Sequence, residues 1–313
     1  MSTSTRASTD RRLIVLALLT VYIVWGSTYL AIRFMVEDFP PLFGNAIRMI
    51  VAGSILFWLV YRRTKRMPTA VEWRNGMAIG ALLFVGGLGL VSTTEDMGVG
   101  SGLVATAIAM TPVWASLAAG FFGQWPTRTE WLGLAVGLIG VGVLSREGDF
   151  QSQPVGFVLV LIAPMLWAAG SVWSRHITMA PGAMVNALQM LGGAVGLTLA
   201  GLVRGESIDG MPSAGSWLAL LYLIVPGSLL AFSAYGYLLR TVRPALATSY
   251  GYVNPIVAVV LGVWLGGEVI SGPLWIALPL VVVAVVLIAG AHRVAGQFDD
   301  PSVTPENEGP ATV

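Results

Sequence analysis

Runs of about twenty apolar residues recur from one end of the chain to the other, separated by short stretches of proline, glycine and charge. A helix of that length crosses about 30 Å of hydrocarbon. The pattern predicts an all-α polytopic membrane protein with ten transmembrane helices. They fall near 13–34, 43–61, 75–93, 98–121, 129–145, 154–174, 182–203, 216–239, 245–267 and 273–292. Pro40-Pro41, Pro68, Pro126, Pro181, Pro212 and Gly272-Pro273 mark the connections, none long enough to hold a soluble domain. The first apolar run, Leu13 to Ile32, is too long for a signal peptide and lacks an A-x-A cleavage site, so it reads as a retained helix. The tail after Arg293 is rich in Asp, Pro, Thr and Glu and is expected to be disordered.

Polar residues interrupt the apolar pattern twice in the same way. Residues 22–33 read YIVWGSTYLAIR and residues 164–175 read PMLWAAGSVWSR, with Trp25 and Trp167 each eight positions before an arginine. An offset of about 142 also aligns Asn45–Met49 with Asn186–Met190, Thr111-Pro112-Val113 with Asn254-Pro255-Ile256 and Ala105-Thr106 with Ala247-Thr248. Trp131 falls close to Trp275 at the same offset. The expected organisation is a cytoplasmic segment 1–12, a first repeat 13–146, a second repeat 152–292 and a cytoplasmic tail 293–313. Five helices is an odd number, so the second repeat enters the membrane from the opposite side. Secondary transporters are often built from such inverted repeats, with the substrate site near the midplane between them.

Composition supports a membrane protein. Of 313 residues, 56% are hydrophobic and 11% charged, against about 25% charged in soluble domains. With the N-terminus placed in the cytoplasm, thirteen of the seventeen Lys and Arg fall on the cytoplasmic side. Arg33, Arg146 and Arg204 fall opposite, and Arg48 lies within a span. Both termini are therefore expected in the cytoplasm. The absence of cysteine excludes disulfides, thiol nucleophiles and Cys-ligated metals. The two histidines, His176 and His292, lie at helix ends, and no catalytic pair is visible at depth, which argues against an intramembrane enzyme.

Several residues could touch a substrate. Pro112 and Pro255 sit mid-span in both repeats, where proline frees a carbonyl, with polar Thr111 and Asn254 beside them. They could equally be tolerated kinks. Trp25, Thr28 and Tyr29 share a helix face, as do Trp167, Ser171 and Ser174. These faces form either an aromatic and hydroxyl wall or a packing surface. Tyr235, and Tyr250 with its neighbours Ser249 and Tyr252, add hydroxyls to the eighth and ninth helices. Arg48 lies about two turns inside the second helix, where a charge is a functional candidate. It could bind an anionic group, snorkel, or pair with Glu37 or Asp38. Glu95, Asp96 and Glu268 end helices on the outer side, as gate or coupling residues or as solvated charges. Gly133, Gly137 and Gly140, and Gly192, Gly193 and Gly196, are assigned to close helix contacts.

Together, VWGSTYLAIR, Arg48-Met49, TPVWASL, SYGYVNPIVAVVLG-x-W-x-GGE and the doubled five-helix plan resemble the EamA family of the drug/metabolite transporter superfamily, in its YedA-like branch. The resemblance covers about residues 13–292. It implies ten helices, cytoplasmic termini, residence in the bacterial inner membrane, and export or exchange of small metabolites through a cavity lined by the first, third, fourth, sixth, eighth and ninth helices. It favours Trp25, Thr28, Tyr29, Trp167, Ser171, Tyr235, Tyr250 and Asn254 as cavity residues. The expected function is secondary transport of small amphipathic metabolites, amino acids or drugs by alternating access. A sugar-phosphate or nucleotide-sugar exchanger would want more inward basic residues than Arg48. A receptor or structural protein would need no inverted duplication. The expected partners are a small-molecule substrate and the lipid bilayer, without nucleic acid. No cofactor and no metal is expected, and a homodimer is left open.

Overall fold

The computed structural model describes residues 3–241 and 250–298, with side chains described at 12–238, 241, 250–251 and 253–287. The expected matches at Thr248 and Ser249 lie outside the described residues, as does the side chain of Tyr252. Every described element is helical. α1 comprises Thr3–Thr20, a π-helical Val21–Trp25 and Gly26–Val36; α2 is Pro41–Thr64. α3 comprises Ala70–Ala81, a π-helical Leu82–Gly89 and Leu90–Asp96. α4 comprises Ser101–Ile108 and Thr111–Gly120, and α5 is Arg128–Leu144. A short linker helix, Gly148–Ser152, leads to α6, Pro154–Trp173, and α7, Met184–Arg204. α8 comprises Ala214–Tyr222, a π-helical Leu223–Leu230 and Ala231–Thr241; α9 is Tyr250–Gly266 and α10 Gly272–Phe298.

Seven of the described helices are long and apolar enough to cross a membrane. Val253–Gly266 and Gly272–Leu287 are shorter apolar segments, and α5 has 17 residues, about 26 Å of helix. Several ends differ from the sequence pattern. The helix of α1 starts at Thr3, inside the expected 1–12 segment, and α10 runs to Phe298, past the expected end at 292. The expected tail 293–313 therefore begins as helix. Thr69 and Thr127 each close a capping box, with Glu72 and Glu130 respectively, which fixes where α3 and α5 begin.

The helices pair in a pattern that survives exchange of the two halves. α1 packs on α8 and α9, and its counterpart α6 packs on α3 and α4. The helices α2 and α7, α4 and α9, and α5 and α10 each pack on their own counterpart. The sequence offset reappears in the backbone. The π-helical stretches Leu82–Gly89 and Leu223–Leu230 are 141 residues apart. π-Helical turns are rare and often accompany functional sites, so their matched positions mark a shared feature of both repeats.

The glycine clusters act as the sequence suggests. A Cβ at Gly192 would collide with the Met77 backbone, and one at Gly80 with the Gln189 carbonyl. Helices α3 and α7 therefore touch backbone to backbone. Gly137 of α5 is filled by Met110 and Ala284. Met49, Ile79, Leu188 and Met190 are fully buried around these contacts.

Candidate functional site

The matched tryptophans sit at matched places. Trp25 donates its indole N–H to the Gly227 carbonyl at 3.2 Å, in the π-helical stretch of α8. Trp167 packs on Gly87, in the π-helical stretch of α3, where a Cβ would come within 2.6 Å of its ring. Each tryptophan thus packs on the irregular turn of the opposite half. Phe232 and Phe84 join them. The ring centroids are 5.2 Å apart from Trp25 to Phe232, 6.5 Å from Phe232 to Phe84 and 6.0 Å from Phe84 to Trp167, all edge-on. Tyr250 and Tyr235 complete the cluster at 4.9 Å and 5.2 Å from Trp25. Edge-to-face rings at these spacings are mutually attractive. Phe84 and Phe232 escaped the sequence reading, because a phenylalanine in an apolar run carries no signal.

Several hydroxyls are spent on their own helices. Thr28 Oγ1 donates to the Trp25 carbonyl at 2.6 Å, Ser171 Oγ to the Trp167 carbonyl at 2.7 Å and Thr111 Oγ1 to the Ile108 carbonyl at 2.6 Å. Such back-bonding to the preceding turn satisfies a hydroxyl without a cavity. Ser27 of α1 reaches across, with its Oγ 2.6 Å from the Tyr222 hydroxyl. The amide of Asn254, oriented so that donors meet acceptors, gives its N–H groups to the Tyr250 and Tyr22 carbonyls at 3.2 and 3.3 Å. Asn254 therefore ties α9 to α1. Pro112 opens the second segment of α4, after a break at Ala109-Met110, and lies against Gly251 of α9. Pro255 lies inside α9. Pro112 thus marks a contact between α4 and α9.

Arg48 neither snorkels nor pairs with Glu37 or Asp38. It is 4% exposed, its Nε donates to Ser228 Oγ at 2.9 Å, and its Nη1 has no partner. Asp38 instead accepts from the Ser213 amide and the Ser216 hydroxyl at 2.9 and 2.8 Å, and these bonds lower its pKa.

One end of the bundle is held by charge. Arg33 of α1 meets Glu268 of the α9–α10 connection at 2.5 Å. Glu268 also accepts from the Ser101 amide and hydroxyl, both at 2.7 Å, and from the Gly102 amide at 3.0 Å. It caps the N-terminus of α4, where the helix dipole favours an anion. Burial raises its pKa, but these hydrogen bonds outweigh burial and leave it lowered. Asp149 accepts from the neighbouring Gly100 amide at 3.1 Å. Arg33, Glu268 and Asp149 line a cavity of about 300 Å³ there. Glu95 is 4% exposed, so it is not a solvated helix-end charge. Asp96 lies 3.7 Å from Arg204. The importance of Arg33 was hidden in the sequence, where it served only as a marker of the membrane face.

Known proteins agree with this architecture. The chain matches the EamA-like transporter family over residues 12–146 and 154–290. It is 42% identical over 272 residues to the uncharacterized inner membrane transporter YedA of Escherichia coli (strain K12), covering 87% of this chain and 89% of that protein. A Salmonella typhimurium protein named a probable amino-acid metabolite efflux pump is 24% identical, with 82% and 88% covered. One solved crystal structure, 20% identical, superposes with a TM-score of 0.61 over 92% of this chain and 99% of its own, a likeness of fold. The matched pairing of helices, the doubled family match and the identity to YedA lead to one assignment: this chain belongs to the EamA-like transporter family and is a multi-pass inner-membrane transporter.

Proposed function

We propose that this protein is a ten-span secondary transporter whose inverted repeats rock about the aromatic cluster to move a small amphipathic metabolite or amino acid derivative across the inner membrane. Both termini face the cytoplasm, which puts the Arg33–Glu268 end outside. The observation that carries the reading is the pair Trp25 and Trp167, each seated on the π-helical turn of the opposite half and joined through Phe232 and Phe84. A two-fold arrangement of this kind gives alternating access a fixed centre. Arg48 supplies one unpartnered guanidinium nitrogen beside that centre, suited to a carboxylate. A single such arginine fits a carboxylate better than a phosphate ester, which favours amino-acid-like cargo over sugar phosphates. The relative named for amino-acid metabolites points the same way.

The test is counterflow in proteoliposomes loaded with pooled amino acids and metabolites. Wild type should exchange at least one labelled solute, while Trp167→Ala and Arg48→Gln should lose that exchange. Transport by both variants at the wild-type rate would remove the central cluster from the pathway.

A further inference from the structure

Among the described residues, the buried side-chain nitrogens and oxygens without a hydrogen-bond partner are Asn45 Oδ1, Arg48 Nη1 and both carboxylate oxygens of Glu95. Asn45 and Arg48 are three residues apart on α2, and Ser92 and Glu95 are three apart on α3, so each pair shares a helix face. The two faces meet where the Asn45 amide donates to Ser92 Oγ at 2.6 Å. Glu95 therefore stands in a polar seam with no group assigned to it.

Its surroundings supply charge without contact. The fields of Glu268 and Arg33 reach Glu95, and Tyr29 of α1 is the other titratable neighbour. Arg33 is already held by Glu268. Ser101 of α4 gives both its amide and its hydroxyl to Glu268. Arg204 of α7 goes to Thr93 and Asp96. From α6, the Gly156 carbonyl accepts from the adjacent Thr94. On α2, Arg48 reaches Ser228 through its Nε and leaves Nη1 without a partner.

We propose that Glu95 is a proton-binding site that couples transport to a pH gradient, its charge deciding whether Arg33 stays on Glu268. This rests on the transporter reading above. An ionised carboxylate with no partner in a low-dielectric interior is strongly disfavoured, so the closed arrangement suits a neutral Glu95. Loss of the proton puts a second carboxylate beside Glu268, with one guanidinium to share. The two carboxylates then repel and compete for Arg33. Either effect loosens the clasp that joins α1, α4 and the α9–α10 connection. Proton bound means this end is closed; proton lost means it opens.

The natural chain contains no cysteine, which permits a direct test on the full protein in liposomes. Leu274 is 4% exposed and lines the cavity behind the clasp. A Leu274→Cys variant is labelled with a membrane-impermeant maleimide across pH, normalised to Met211→Cys at a fully exposed position. Above the acid range, normalised labelling should rise by up to about tenfold per pH unit below a single midpoint and level off above it, as a single proton requires. Glu95→Gln should stay slow, with no rise towards high pH. Arg33→Gln should be fast and flat, with or without Glu95→Gln. Glu95→Asp should keep the pH dependence with a shifted midpoint. A wild-type pH profile in Glu95→Gln, or an unshifted midpoint in Glu95→Asp, overturns the proposal. So does a rise in labelling produced by sodium at fixed pH, which would make this a metal-cation site. Counterflow on the same liposomes separates the two readings. Intact counterflow with pH-independent labelling removes the proton site alone. Absent counterflow with intact pH-dependent labelling removes the transporter reading alone.

Discussion

The two ends of the bundle occupy equivalent positions in the repeats and are closed by different chemistry. At one end Arg33, eight residues after Trp25, meets Glu268 on the N-terminus of α4. At the other end Arg175, eight residues after Trp167, makes no such pair among the described residues, since the place of Glu268 falls at Pro126 in the first half. The next residue, His176, instead stacks on Phe122 just beyond α4, with ring centroids 3.7 Å apart and planes 11° apart. Duplication therefore supplied the frame, and divergence made one end electrostatic and the other aromatic. A charged clasp can be opened by protons or counter-charges. A ring stack opens only when its surfaces separate.

This contrast can be broken in graded steps. Replacing Glu268 with Gln should have the largest effect, because it leaves Arg33 and the α4 N-terminus facing a neutral amide. We expect a loss of about 2 kcal/mol, below the value for a fully buried pair because Arg33 is 35% exposed. Thermal unfolding in detergent, together with fast labelling of Leu274→Cys, would register it. Acid should do the same more gradually. The folded pKa of Glu268 is lowered, so its stabilisation is complete above the ordinary carboxylate range. It is lost as pH falls through the folded value, below the ordinary carboxylate range. Leu274→Cys labelling should then climb again in acid, and the climb should vanish in Glu268→Gln. The opening assigned to Glu95 lies on the other side, towards high pH, so wild-type access should be smallest between the two.

At the aromatic end Phe122→Ala should cost about 1 kcal/mol, since the ring is 44% exposed and its gain is one stacked contact. That change should leave the pH profile of the charged end untouched. The smallest difference concerns the central tryptophans. Trp25→Phe gives up a hydrogen bond to the Gly227 carbonyl, worth about 1 kcal/mol. Trp167→Phe gives up ring area against Gly87 and should cost less. Equal melting shifts for the two would mean that the indole bond adds nothing.

The repeat was legible because it is written in rare residues. Tryptophan, proline and arginine stand out in an apolar chain, and Trp25 and Arg33 pointed directly to Trp167 and Arg175. The cavity wall was only half legible. Thr28, Ser171 and Thr111 have the spacing of a polar face, yet a hydroxyl that bonds its own helix has the same spacing as one that faces a solute. Asn254 has the look of a ligand group in the sequence, and in the structure its amide reaches the Tyr250 and Tyr22 carbonyls, a link between α9 and α1 that spacing could not foretell. Glu95 and Glu268 had the placement of solvated helix-end charges, and both are largely buried.

By itself the sequence determined the membrane environment, the helical class and the duplication. Each follows from local composition, apolar runs and residue spacing, which are properties of the chain in one dimension. The tertiary structure decided the irregular turns, the ring chain and the charged clasp. A π-helical turn has no residue signature, and Phe84 and Phe232 are ordinary apolar residues until two helices bring them together. Arg33 and Glu268 lie 235 positions apart, and nothing local to either names the other. Their pairing, and the unpartnered carboxylate of Glu95 beside it, exist because packing in lipid removes water and leaves each buried charge only the groups that folding brings within reach.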